Sequence, residues 1–206
     1  AFSTIPPTMP HGDVTYEAQW TANKYVVDLD HQGGSSSMSS VLVTYDSIMP
    51  AVEVPVLPGY FFKGYYTLPN GQGSQYYLDN GNSLQVWNVE GDTVVYAHWT
   101  PDPNTPYVVE HYQQNLDGTT YPTTPTEVDN LSDTTNIQVI PAVRTYEGFT
   151  SPEPDTIIVT ADTVTVVRYY YERNPYNLTW DAIEGTLSGT YDSGVMYYDA
   201  PITAPM

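Results

Sequence analysis

The chain contains no cysteine. Disulfides therefore cannot hold the fold, and thiol nucleophiles, thiolate metal sites and thiol redox chemistry are excluded. Bases are nearly as scarce: Lys24, Lys63, Arg144, Arg168 and Arg173 stand against 24 Asp and Glu, for a net charge of −19. A surface of that sign repels nucleic acid and anionic membranes, so neither is expected as a partner. No apolar run approaches the roughly 18 residues of a membrane-spanning helix, so no membrane insertion is expected in this segment. No leader, anchor or sorting phrase is visible, and the chain, ending on PITAPM, reads as a piece of something longer.

Tyrosine is abundant, with 20 copies in 206 residues, and Val and Thr are frequent while Leu, Ile and Phe are few. This mixture suits half-buried strands better than helices. The apolar share argues against wholesale disorder. The length allows one or two domains, or several small repeated ones.

Internal repetition points to the last of these. DVTYEAQW, ending at Trp20, matches DTVVYAHW, ending at Trp99, and DTVTVVRY at 162–169 is a weaker echo. Likewise YVVDLDHQGG at 25–34 matches YNLTWDAIEG at 176–185, and VTYDSIMP at 43–50 matches MYYDAPIT at 196–203. Residues 176–206 thus look like the start of a second copy of unit 25–100, and residues 1–20 like the end of an earlier one. Alternation places strands at 25–30, 41–45, 52–56, 60–66 and 93–99, with a short helix or turn near 46–51 that Pro50 limits. PNGQG at 69–73 carries an Asn-Gly turn signal. A differently built unit follows, with strands at 107–114, 137–140, 156–160 and 164–172 and a Thr/Pro/Asp-rich stretch at 119–135.

No pattern of catalytic or metal-binding residues emerges, and neither an enzyme nor a cofactor is expected. His11, His31, His98 and His111 lack metal-ligand spacing and read as exposed strand positions. Asp28 and Asp30 share one strand face, which is the ordinary solvated face of a half-buried strand. The loop at 79–82 lacks the spacing and closing Glu of an EF-type calcium loop. Lys24 and Lys63 are the only lysines open to an isopeptide cross-link, one in a linker and one on an outward strand position.

Aromatic residues are the best binding candidates. In GYFFKGYY at 59–66, alternation puts Tyr60 and Phe62 on one face and Phe61, Lys63 and Tyr65 on the other. One face must supply a core; Tyr60 and Phe62 are assigned to it, with Trp20, Tyr45, Trp99 and Tyr169. Phe61, Lys63, Tyr65 and Tyr76 form the candidate contact face.

Gly33–Gly34, Tyr45 through Pro50, Gly59 through Tyr66 and Val95 through Trp99 together carry a family resemblance. Residues 25–100 resemble the Listeria–Bacteroides repeat, also called the internalin B-type repeat, with partial copies at 1–20 and 176–206. YVVEHYQQNLDGTTY at 107–121, RTYEGFTSPEP at 144–154 and VVRYYYERN at 166–174 make 106–172 similar to a mucin-binding-protein-like repeat. The resemblance implies a β-rich (α+β) fold of tandem, small β-grasp-like modules with little helix; the alternative is all-β sandwich-like modules. It further implies an extracellular, non-enzymatic segment of a bacterial cell-surface or cell-wall protein. Such a segment would act as a stalk or spacer projecting an adhesive region, with adjacent repeats of the same polypeptide as partners. The second reading has the repeats themselves binding host glycan or protein through exposed aromatic residues.

Overall fold

A computed structural model describes residues 8, 11–13, 15 and 17–205. The expected repeat end at 1–20 therefore lies partly outside the described residues. Two units are separated, one of Ala1–Leu57 with Phe61–Thr100 and one of Pro58–Tyr60 with Pro101–Met206. The architecture is all-β, and no helix occurs among the described residues.

In the first unit, β1 (Lys24–Asp30), β2 (Ser40–Thr44), β3 (Tyr60–Leu68), β4 (Gln72–Tyr77) and β5 (Thr93–Pro101) form one sheet in the order β2-β1-β5-β3-β4. Strand β1 runs antiparallel to β2 and parallel to the central strand β5. Alternation does what the sequence pattern requires: Val27, Leu29, Val41, Val43, Val95 and Ala97 are buried. The turn between β3 and β4 has Asn70 at φ 60° and Gly71 at φ 71°, the two left-handed central residues of a type I′ hairpin. Of the short helix or turn expected near 46–51, a turn forms, at Tyr45–Asp46 with Ser47 N–H on Thr44 C=O at 3.2 Å, and the strand expected at 52–56 is instead ordered coil. Prolines 50, 55 and 58 remove amide donors there. This coil packs against the sheet. It contributes Met49 and Val52 to the core, and it is hydrogen-bonded to the stretch between β4 and β5 that brings in Trp87: Asp46 N–H to Trp87 C=O at 2.7 Å, Trp87 N–H to Ser47 C=O at 3.0 Å, and Val52 N–H to Gly81 C=O at 2.9 Å.

The second unit repeats the first four strand positions. Strands β6 (Thr105–Gln113), β7 (Glu127–Asp133), β9 (Phe149–Thr150) and β11 (Thr165–Arg173) lie in the order β7-β6-β11-β9, with β6 antiparallel to β7 and parallel to β11. A small pair, β8 (Gln138–Val139) and β10 (Ile157–Ile158), closes over the core, which is built from Tyr107, Val109, Val159, Val167, Tyr169 and Tyr171. Strands β4 and β7 have no counterpart in the expected set. Both are rich in Gly, Gln, Asn, Ser and Asp, residues of weak strand preference, and each is held by its hairpin partner.

The chain then begins the pattern again. β12 (Pro175–Leu178) and β13 (Gly194–Tyr197) form an antiparallel hairpin in which Tyr176 faces Met196, as Tyr25 faces Val43 in the first unit. Tyr198 N–H donates to Asn174 C=O at 2.9 Å, as Tyr45 N–H donates to Asn23 C=O at 2.9 Å. Asp46 and Asp199, which follow, share a positive φ of 57° and 62°.

Candidate functional site

The candidate contact face is split by β3. Phe61 is 48% exposed, and the Lys63 ammonium lies 5.8 Å from its ring centroid, a cation–π distance at an exposed site. Tyr65, expected beside them, is fully buried. The cause is Gly64. It sits at φ 120°, and the β3–β4 register shifts just after it, at Tyr65/Tyr66. Alternation of side chains holds only along extended backbone, and the break at Gly64 puts Tyr65 on the inner side with Phe62, their ring centroids 5.1 Å apart. Tyr65 hydrogen-bonds His31 Nδ1 at 2.5 Å, and burial raises its hydroxyl pKa well above the ordinary value. Tyr76 is also buried, its ring tilted against Trp87 at a centroid distance of 4.7 Å and its hydroxyl on Asn88. Tyr65 and Tyr76 are thus corrected from contact face to core.

Of the residues assigned to the core, Phe62 and Tyr169 are buried, and Trp99 is half-buried against the first core. Tyr45 and Tyr60 are half-buried, Tyr45 packing edge-on against Tyr25. Trp20 is 91% exposed, against expectation. The described residues around it belong to no strand, so no sheet face lies beneath its ring.

The four-stranded sheet of the second unit carries a ladder that sequence reasoning missed. Pairing β6 with β11 places Tyr112 opposite Tyr170 and Glu110 opposite Arg168. The two rings stack at 5.0 Å, Tyr121 meets Tyr170 edge-on at 5.0 Å, and Arg168 Nε reaches Glu110 at 2.8 Å. The signal was present in the alternation of 107–114 and 164–172, but only the register shows which rings meet.

The opposite side of that sheet holds the densest polar chemistry. His111, expected on an exposed strand position, is fully buried. Tyr171 O accepts the Arg144 amide at 3.0 Å, and the same hydroxyl is hydrogen-bonded with His111 Nδ1 at 2.8 Å. The His111 Nε2–H then donates to Asp129 Oδ2 at 3.1 Å. The Arg144 guanidinium bridges Asp129 and Glu127. An acid–imidazole–hydroxyl chain is the arrangement that activates a nucleophile. Here Tyr171 and His111 are both closed to solvent, and the hydroxyl is already hydrogen-bonded on both sides, so the chain locks β6, β7 and β11 together. No group of three or more metal-ligating side chains occurs among the described residues.

Searches against known proteins give a limited frame. No family model matches the chain, and no solved structure matches it. The chain is similar to Internalin H of Listeria monocytogenes. Identity is 30% over 102 residues, covering 48% of this chain and 17% of Internalin H, so the chain spans about one sixth of that relative's length. The similarity to Internalin H agrees with the Listeria-type repeat read from the sequence.

Proposed function

We propose that this chain is a repeat segment of a bacterial cell-surface protein and serves as a stalk or spacer for an adhesive region. The observation that carries the reading is the recurrence of one strand plan. A hairpin joined by a parallel closing strand is built in both units, and its opening hairpin recurs in the same register at the end of the chain. Repetition of small self-contained modules is how a chain gains reach without a large core. The repeat boundaries we assign are 25–100 for one complete Listeria–Bacteroides-type module, 106–172 for a mucin-binding-protein-like one, 176–206 for the opening part of a further copy and 1–20 for the closing part of an earlier one. The strand order, with β1 parallel to β5 at its centre, supports a helix-free β-grasp-like module. Similarity to Internalin H supports a surface-exposed, extracellular setting, and the net charge of −19 keeps neighbouring stalks soluble and apart.

A second reading, direct binding of host glycan or protein, is favoured by the exposed rings of Phe61 and Tyr170. Solution scattering and a glycan and extracellular-matrix binding screen separate the two. A stalk gives a radius of gyration clearly above the ~17 Å of a compact chain of this length, and silence in the screen. A compact value would refute the stalk, and a hit abolished by Phe61→Ala or Tyr170→Ala would establish the second reading.

A further inference from the structure

A single residue, Asn174, separates β11 of the four-stranded sheet from β12 of the hairpin that follows. Neighbouring folding units move against each other by default unless a dedicated contact holds them. Here the linking residue is itself pinned. The Asn174 amide donates to Gly148 C=O at 2.9 Å, its carbonyl accepts the Tyr198 amide at 2.9 Å, and its side-chain oxygen accepts the Thr150 hydroxyl at 2.7 Å. Pro175, next in the chain, further restricts the Asn174 backbone to extended conformations.

Arg173 ties the two parts together. Its Nε donates to Gln114 C=O at 3.0 Å, just past the end of β6, while Nη1 donates to Tyr198 C=O at 2.7 Å, just past β13. The guanidinium also lies 4.6 Å from the Phe149 ring centroid, within cation–π range. Around it the hairpin lays two rings on the preceding structure. Tyr198 meets Phe149 edge-on at 6.2 Å and covers Gly148, where an added Cβ would strike the ring. The outer end of the Tyr197 ring covers Gly118 in the same way.

The hairpin does not need all of these contacts to form. The matching hairpin of the first unit, β1–β2, has Ala22 in the place of Arg173 and Thr44 in the place of Tyr197, and keeps the backbone bond between Tyr45 and Asn23. Tyr45 packs on Tyr25 of its own hairpin, whereas Tyr198 turns to Phe149.

We propose that Gln114, Gly118, Gly148, Phe149 and Arg173 form a docking face for the opening hairpin of the following repeat, which makes this junction a stiff joint of fixed angle. The proposal rests on the repeat boundaries and the stalk reading given above. The occupant is an antiparallel hairpin whose second strand runs into Tyr-Tyr, with the carbonyl of the second tyrosine turned to the guanidinium. Charge-assisted hydrogen bonds from one planar group to two carbonyls fix orientation as well as distance. A stalk whose joints keep their angle holds its far end out, where a string of flexible links would let it fold back.

The chain has no native cysteine, so paired spin labels read the joint directly. Asn130→Cys on β7 and Val195→Cys on β13 introduce them at exposed positions on either side of it. The distance distribution between the labels, measured by pulsed electron resonance, should be single and narrow. Arg173→Ala together with Tyr197→Thr, the residue types with which the first unit's hairpin folds, should broaden it severalfold. Tyr197→Thr alone, which leaves the Arg173 contacts in place, should broaden it less. A broad distribution in the labelled chain without further substitution would overturn the proposal, as would a width that the double substitution leaves unchanged. Circular dichroism checks that the double variant is folded; if it is not, Tyr197→Thr alone must broaden the distribution or the proposal fails. The radius of gyration tests the stalk separately. An elongated chain with a broad distribution keeps the stalk and loses the joint, and a compact chain with a narrow one does the reverse.

Discussion

Gly64→Ala tests the account of the break in β3 at Gly64. At φ 120° the position lies where side chains are rarely accommodated, which costs about 1–3 kcal/mol. An added Cβ would also overlap the Tyr77 carbonyl oxygen and the Gln75 side-chain amide. Neither is free to yield: Gln75 Nε2 already donates to Lys63 C=O at 3.0 Å and Tyr77 C=O at 2.9 Å. Relief requires β3 and β4 to part, drawing Tyr65 and Tyr77 from the core. The expected loss is about 3 kcal/mol or more, in the range of severe single substitutions. A unit of about 75 residues holds on the order of 4–11 kcal/mol in all. Gly91→Ala is the control, because Gly91 has a comparable φ of 86° and open space around its Cβ position, so only the backbone penalty applies. Urea unfolding followed by tryptophan fluorescence reads the first unit, since Trp87 is fully buried in its core whereas the second core is built on tyrosine. With a slope of about 1.5 kcal/mol per molar, Gly64→Ala should lower the midpoint by about 2 M, and Gly91→Ala by less than half as much. Equal shifts for the two variants would refute the close approach as the reason for glycine at 64.

Two further outcomes follow from buried polar groups. Asp129→Ala leaves the fully buried His111 Nε2–H without an acceptor and Arg144 without one of its two carboxylates. The second unit should lose about 1–3 kcal/mol, with Asp129→Asn, which keeps an acceptor oxygen, losing less; circular dichroism during urea unfolding checks it, and equal losses would show that charge alone matters. Burial raises the hydroxyl pKa of Tyr65 and Tyr77 above the unfolded value. Their folded forms therefore hold protons that the unfolded chain releases. The stability they contribute is complete below about pH 10 and falls as pH rises past it. Part of the tyrosinate absorbance should appear only together with loss of circular dichroism, and a full tyrosinate signal from a still-folded chain would contradict this.

Much of the architecture was legible because strand alternation and repetition are local properties. Val27, Leu29, Val43, Val95 and Ala97 are buried as their spacing requires, and the Asn70–Gly71 turn stands where its dipeptide placed it. The recurrence of the opening hairpin at 176–198 was readable from aligned residues, and its register matches. Strands with weak intrinsic preference, β4 and β7, were not readable, since their hairpin partners hold them.

Side-chain direction past an irregularity was beyond sequence as well. Strict alternation assigned Tyr65 to the face of Phe61 and Lys63; the non-extended backbone at Gly64 moved it to the core and left Phe61 and Lys63 alone outside. His111 looked like any strand histidine until β7 and β11 brought Asp129 and Tyr171 to its two nitrogens. Trp20 and Trp99 have near-identical sequence surroundings, yet one is open to solvent and the other is packed on Gly34 and Phe62. Sequence determined the period, the charge and the repeated strand plan, which depend on neighbours a few residues away. Tertiary structure decided which rings are buried, because that depends on whether a second strand is present at the edge to receive them.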